Sequence, residues 1–85
     1  MESYMIATPH TAEECKSLVQ QVYAMGYLHH FMWGCKADVH CGWAIIEAEN
    51  EDQARLAVPS LVRNKARVTK LTRFDISDVE PFHRT

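Results

Sequence analysis

The stretch that most constrains the fold is Phe31–Ile46, which reads FMWGCKADVHCGWAII. It holds both tryptophans, two of the three cysteines and two of the three glycines. Two aromatic-rich, β-prone runs are joined here by a short polar connection near Lys36–Val39, a pattern typical of a β-hairpin. The sequence therefore predicts two neighbouring antiparallel strands in the middle of the chain.

A capping box marks the start of the first helix. Thr11 and Glu14 stand three residues apart, so each side chain can bond the backbone N–H of the other residue. Apolar residues then recur at helical spacing as far as Met25, and Gly26 stands where a helix C-cap is wanted. The predicted helix covers Ala12–Met25.

The second helix carries two local signals. Asn50 is a candidate N-cap, and the acidic residues that follow it suit the first turn of a helix. Pro59 has no backbone N–H, so we expect the helix either to kink at Val58 or to restart as a short turn over Pro59–Asn64.

Together these elements predict an α+β domain of order β-α-β-β-α-β, the ferredoxin-like arrangement with a four-stranded antiparallel sheet. In this arrangement strands one and three are central neighbours, and residues 1–85 form a single domain. A loose turn or short terminal helix is predicted over Asp75–Phe82. The predicted strands are Ser3–Thr8, His29–Cys35, His40–Ala48 and the edge strand Arg67–Phe74.

Charge and cysteine content narrow the classes of function. A net charge of −2 provides no broad basic surface for phosphate backbones, so nucleic acid is not the expected partner. The first ten residues lack the pattern of a secretory signal, and no apolar run approaches membrane-spanning length. Three cysteines without a CxxC motif do not predict a disulfide framework, so we expect a protein of the reducing cytoplasm.

The predicted topology brings five potential metal ligands or nucleophiles to one edge of the sheet: His10, Cys15, Cys35, His40 and Cys41. Zinc and copper accept imidazole and thiolate ligands together, so this edge is a candidate metal site. Cys15 also lies on the apolar stripe of the first helix, where a free cysteine is typical of core packing. The predicted ligand set is therefore His10, Cys35, His40 and Cys41.

The register of the hairpin stays open. A connection with an odd number of residues makes Trp33 and Trp43 cross-strand neighbours and places Cys35 opposite Cys41. An even connection pairs Cys35 with His40 instead. A slip of one residue thus changes which side chains meet.

The same edge offers candidates for catalysis and for ligand binding. Cys35 could act as a nucleophile with a histidine as base, and Glu47 is a candidate general base if it faces a pocket. The catalytic candidates are thus His10, Cys35 and Glu47. The candidates for binding a small ligand are His10, Trp33, Cys35, His40 and Trp43.

Four segments carry a resemblance to a known group: HTAEEC at His10–Cys15, FMWGC at Phe31–Cys35, HCGWAIIEAE at His40–Glu49 and VPSLVRNKARV at Val58–Val68. They resemble the dimeric α/β-barrel superfamily, and within it a small bacterial family of proteins without an assigned function. The resemblance implies a ferredoxin-like domain whose open sheet face packs against that of a second copy. The wider group includes small isomerases, cofactor-independent monooxygenases, haem-handling enzymes and ligand-sensing domains, so fold alone does not choose the function.

The sequence thus leads to one main hypothesis and two alternatives. We expect a cytoplasmic homodimer that binds a small molecule or a metal ion, zinc or copper, at the His10/Cys35/His40 edge or in the adjoining cleft. One alternative is a small cofactor-independent enzyme of the isomerase or monooxygenase type, with His10, Glu47 or His40 as its base. The other is a structural or partner-binding module that uses the sheet face as its contact surface.

Overall fold

The structure, a computed structural model, describes residues 1–79. Within this range four strands form one antiparallel sheet in the order β2-β3-β1-β4, accompanied by three helices. The α+β class and the four-stranded antiparallel sheet are confirmed. The strands are β1 (Glu2–Pro9), β2 (Phe31–Trp33), β3 (Cys41–Ala48) and β4 (Arg67–Leu71), and the helices are α1 (Cys15–Ala24), α2 (Glu51–Arg55) and α3 (Ile76–Val79). Of the predicted terminal segment Asp75–Phe82, residues 80–82 lie outside the described residues.

The central strand β1 pairs with β3 on one side and with β4 on the other. Pro9 at the end of β1 stands opposite Cys41 at the start of β3, so these two strand ends share one edge of the sheet. β4 ends at Leu71 rather than at the predicted Phe74, because Leu71 already pairs with Ser3, near the beginning of β1.

Helix α1 begins after a tight first turn. The predicted capping box forms: the Thr11 N–H donates to Oε1 of Glu14 (2.9 Å), and the Glu14 N–H donates to Oγ1 of Thr11 (3.2 Å). The same Glu14 N–H also donates to the Thr11 carbonyl (3.1 Å), which closes an i→i+3 turn. The α-helix therefore starts at Cys15, three residues later than the sequence predicts.

The end of α1 is closed by Gly26, as predicted. Gly26 has φ +84°, a left-handed conformation that costs glycine little. Its N–H donates to the Tyr23 carbonyl, and the Tyr27 N–H donates to the Val22 carbonyl. These two bonds form a Schellman motif and satisfy carbonyls that the helix end leaves without partners.

Helix α2 is short, with five residues. The predicted cap is present, since Oδ1 of Asn50 accepts the Gln53 N–H at 2.9 Å. The helix ends at Arg55, and the chain passes through turns, with Pro59 buried, before reaching β4. The Arg55 guanidinium donates to the Ala66 carbonyl at 2.8 Å and thereby holds the last of these turns against the helix.

Strand β2 has three residues where seven were expected. Short 3-10 turns, Leu28–His30 and Cys35–Ala37, replace the two ends of the predicted strand. Trp33 pairs with Gly42 and Met32 pairs with Trp43, which is the even register. The alternative that makes the two tryptophans cross-strand neighbours is therefore wrong, and they lie on opposite faces of the sheet.

The core lies on one face of the sheet, where residues of α1, α2 and the following turns pack. The opposite face, which we call the open face, carries Met32 (79% exposed), Trp43 (38%) and Ile45 (56%). The buried residues that α1, α2 and the following turns contribute to the core are Leu18, Val22, Ala54, Ala57, Val58 and Val62.

Candidate metal centre

Four segments of the chain bring two imidazoles and two thiols together at one edge of the sheet. His10 follows β1, Cys15 begins α1, Cys35 opens the turn after β2, and His40 precedes β3. One potential ligand atom from each residue lies within 4.8 Å of the other three, and we call this group the His/Cys cluster. The four residues of this cluster could together hold a metal ion.

The backbone fixes the ring of His10. Its Nδ1 lies 2.8 Å from the Thr8 carbonyl oxygen, which only accepts, so Nδ1 carries the proton. The lone pair of a neutral ring is then on Nε2, which lies 3.3 Å from the Cys35 sulfur. Thr8 is itself fully buried and held to Gly42, whose N–H donates to Oγ1 (3.1 Å) and whose carbonyl accepts from it (3.0 Å). A histidine oriented in this way by its second nitrogen resembles a metal-ligating histidine.

His40 presents an acceptor that has no partner. Its Nε2 lies 3.5 Å from Oδ1 of the exposed Asp38, so the carboxylate favours the proton on Nε2. The Nδ1 atom is buried and makes no hydrogen bond within the described part of the chain. Since a buried acceptor without a partner costs free energy, this nitrogen marks a position where a ligand would be stabilised. The backbone ties the two histidines together, because the His10 N–H donates to the His40 carbonyl at 3.1 Å.

The thiol of Cys35 is protonated at neutral pH. Burial, together with the hydrogen bond to Cys15, raises the pKa of Cys35 to about 11. A thiolate is the reactive form of cysteine, so this residue is a weak nucleophile in the metal-free protein near pH 7. Burial also raises the pKa of Cys41.

Cys41 lies outside the His/Cys cluster, although the sequence placed it in the ligand set. Side chains alternate along β3, and Cys41 falls on the same side as Trp43 and Ile45 of the open face. Its S–H is directed at the Gly42 carbonyl at 3.6 Å.

Cys15 takes the fourth position instead. The sequence favoured a core role for Cys15, but it is only half-buried and is not a member of the hydrophobic core. One feature of the sequence does indicate that Cys15 lies near His10. The capping box at Thr11–Glu14 places Cys15 in the first turn of the helix, at the same edge as His10.

The remaining candidates separate into two groups. Trp33 is stacked on Phe31 (centroids 5.4 Å apart) and meets the His10 ring edge-on at 6.1 Å, so it borders the cluster. Trp43 lies on the open face. Glu47 is exposed on that face at the far end of β3, opposite Ser3, and does not share a site with His10.

A shallow groove runs along the open face beside β2. It has a volume of about 430 Å³ and is mostly apolar. Seven residues line it: Met5, His29, His30, Met32, Trp43, Ala44 and Ile45. It is separate from the His/Cys cluster, because Trp33 and His10 lie on the core side of the sheet.

Comparisons of the chain with known protein families, with curated proteins and with solved structures found no match. Among residues 1–79 no helix combines the length and the apolar character needed to cross a bilayer. The resemblance to the dimeric α/β-barrel superfamily stays a prediction. The His/Cys cluster is therefore the feature of the molecule that indicates a function.

Proposed function

We propose that this protein binds a transition-metal ion, Zn²⁺ in the first place, through His10, Cys15, Cys35 and His40. The observation that carries the proposal is that one ligand atom from each of these four residues lies within 4.8 Å of the others, while the buried Nδ1 of His40 has no hydrogen-bond partner among the described residues. Tetrahedral Zn²⁺ with two sulfur and two nitrogen ligands holds these atoms about 3.3–3.8 Å apart. The 3.3 Å between His10 Nε2 and the Cys35 sulfur is close to the roughly 3.6 Å expected of a nitrogen–sulfur pair in such a shell.

The donor set favours a closed site. Two thiolates neutralise the charge of Zn²⁺, and two imidazoles complete four-coordination, as in structural zinc sites. Such a shell leaves no position for a substrate. Copper(I) is the alternative ion, because it also prefers soft sulfur donors.

Metal analysis of the intact chain tests the proposal. Protein purified under reducing conditions and without chelator is expected to take up one Zn²⁺ per chain, measured by elemental mass spectrometry and chelator competition. His40→Ala and Cys15→Ser should each lower the affinity at least tenfold. His29→Ala and Cys41→Ser are the matched controls and should bind like the parent. If His40→Ala and Cys15→Ser also bind like the parent, the proposal is wrong.

We further propose that the domain is a ferredoxin-like homodimer of the dimeric α/β-barrel type, assembled through the open face. The strand order and the cover on only one side of the sheet support this arrangement. Met32 and Ile45 together leave an apolar surface that a second sheet would remove from water. Sedimentation at micromolar concentration should give twice the mass of the 9.8 kDa chain. Ile45→Lys should shift it to the monomer, and a monomeric parent would contradict the proposal.

Three free thiols suit the reducing cytoplasm, which we propose as the location of the protein.

A further inference from the structure

We propose that Cys15 and Cys35 form a reversible disulfide whose formation expels the bound ion, so that the site is regulated by oxidation. This inference rests on the proposed metal binding at the same cluster. It adds a second state of the site in which two of the four ligands are lost together.

The two sulfurs are direct neighbours. The Sγ atoms of Cys15 and Cys35 both belong to the group of ligand atoms that lie within 4.8 Å of one another. Both are free thiols. The third cysteine, Cys41, lies outside the group with its S–H directed at the Gly42 carbonyl, so the geometry selects one pair out of three.

The local backbone leaves both residues room to adjust. Cys15 is the first residue of α1, and Cys35 opens the one-turn 3-10 segment Cys35–Ala37, so neither belongs to a strand pair. A disulfide needs its sulfurs about 2.05 Å apart. Formation of the disulfide therefore requires rotation of the two side chains and small shifts at these element ends.

The reaction is thiol–disulfide exchange with a small-molecule disulfide as the oxidant. One cysteine sulfur attacks the reagent, breaks its S–S bond and releases one reagent thiolate. The second cysteine then attacks the mixed disulfide, forms the Cys15–Cys35 bond and releases the other thiolate. The protein loses two electrons and the reagent gains them. In the ion-free protein the two cysteine protons go to the released thiolates, whereas in the ion-loaded protein those protons come from solvent.

Loss of the ion follows from the change in the ligands. Metals bind the thiolate form of cysteine, and a disulfide sulfur carries no negative charge. After oxidation only the imidazoles of His10 and His40 remain as ligands. Two neutral ligands are then left of a set of four that included two thiolates. The oxidised protein should therefore bind Zn²⁺ at least a hundredfold more weakly than the reduced protein.

Trypsin separates the three cysteines and makes the test direct. Cleavage after Lys16, Lys36 and Arg55 places Cys15, Cys35 and Cys41 in the peptides 1–16, 17–36 and 37–55. Zinc-loaded protein is treated with oxidised glutathione, alkylated, digested and examined by mass spectrometry, while a chromogenic chelator records the released zinc. We expect peptide 1–16 linked to peptide 17–36, release of zinc in parallel, and reversal of both by dithiothreitol.

Two variants keep the outcomes distinct. Cys41→Ser should behave like the parent, and Cys35→Ser should give no linked peptide. Retention of zinc by the disulfide form, or linkage of Cys41 in place of Cys15 or Cys35, would overturn this inference and leave the proposed zinc binding intact. Reduced protein that binds no zinc would overturn the proposed function and its regulation together, and the peptide map would still show whether the two thiols pair.

Discussion

The Nε2 atom of His10 lies 3.3 Å from the sulfur of Cys35, although the two residues are 25 positions apart in the chain. The contact arises because Pro9 ends β1 opposite Cys41, which brings the residue after β1 to the turn of the β2–β3 hairpin. A backbone hydrogen bond, from the His10 N–H to the His40 carbonyl, also holds the residue after β1 against the residue before β3. The sheet itself thus positions one imidazole against one thiol.

Metal affinity should rise with pH. Because burial holds the pKa of Cys35 at about 11, its thiol is protonated in the ion-free protein between pH 6 and 8. Binding must release that proton, so the affinity should increase at least about tenfold per pH unit. Competition with a chelator of known pH dependence measures the slope, with His29→Ala expected to follow the parent. A slope of zero over this range would contradict direct ligation by Cys35.

Thr8→Val should weaken both the fold and the metal site. The replacement leaves the Gly42 N–H and carbonyl without the Thr8 hydroxyl, in a fully buried position, at a cost of about 1–3 kcal/mol. The backbone carbonyl that orients His10 remains in the variant, so zinc affinity should fall only through the shift of the end of β1 that loss of the hydroxyl bonds to Gly42 allows. Urea unfolding with EDTA separates the first effect from the second. Thr69→Val, at an exposed position of β4, is the control and should change neither.

Gly42→Ala should displace Trp33. A methyl group at position 42 would lie 2.6 Å from the indole ring and 2.9 Å from Oγ1 of Thr8, so the ring and the hydroxyl would both have to shift. We expect a loss of about 1–3 kcal/mol in the free energy of unfolding and a changed near-ultraviolet circular dichroism spectrum. Gly26→Ala meets no neighbouring atom and should cost stability through its positive φ alone, with the aromatic spectrum preserved. A Gly42→Ala spectrum identical to the parent's would contradict the packing of Trp33 on Gly42.

Glu14→Gln should destabilise the protein near neutral pH but not in acid. Hydrogen bonds from Thr11 and the ammonium group of Lys65, 3.1 Å away, hold the pKa of Glu14 below its ordinary value of 4.5. A lowered carboxyl pKa stabilises the folded state above the unfolded value, and this contribution is lost as the pH falls through the folded value. Urea midpoints of parent and variant should differ at pH 7 and converge at pH 3. The neighbouring Glu13→Gln is the control, and an equal effect of both variants at pH 7 would rule out the Lys65 contact as the cause.

The sequence was sufficient for the sheet and for the edge where the cluster lies. Pro9, the capping box at Thr11–Glu14 and the polar connection of the hairpin show where the chain passes from one element to the next, and these junctions determine which termini meet, although the exact ends of α1, β2 and β4 differ from the prediction. The sequence was not sufficient to predict which residues belong to the His/Cys cluster. Neighbouring residues of β3, such as Cys41 and Gly42, face opposite sides of the sheet. A change of one residue in the register of the β2–β3 hairpin would therefore place Cys41 rather than His40 at the cluster.

The place of Cys15 could not be read from helical periodicity. Cys15 keeps its helical spacing to the buried Leu18 and Val22, but as the first residue of α1 it lies at the end of the helix beside His10 rather than within the core. The Thr11–Glu14 turn that precedes α1 also contacts Lys65, 51 positions away in the chain, whose ammonium group donates to Oε1 of Glu14 at 3.1 Å. A local sequence pattern does not indicate a contact between residues so far apart in the chain.

The separation of the two tryptophans on the two faces of the sheet gives the molecule two independent optical probes. Trp33 lies edge-on to the His10 ring, so its fluorescence should respond to binding of an ion at the His/Cys cluster. Trp43 reports from the opposite side, where a second sheet would cover it. Trp33→Phe and Trp43→Phe would leave one emitter each, and a single titration could then distinguish ion uptake from subunit association by which emitter changes.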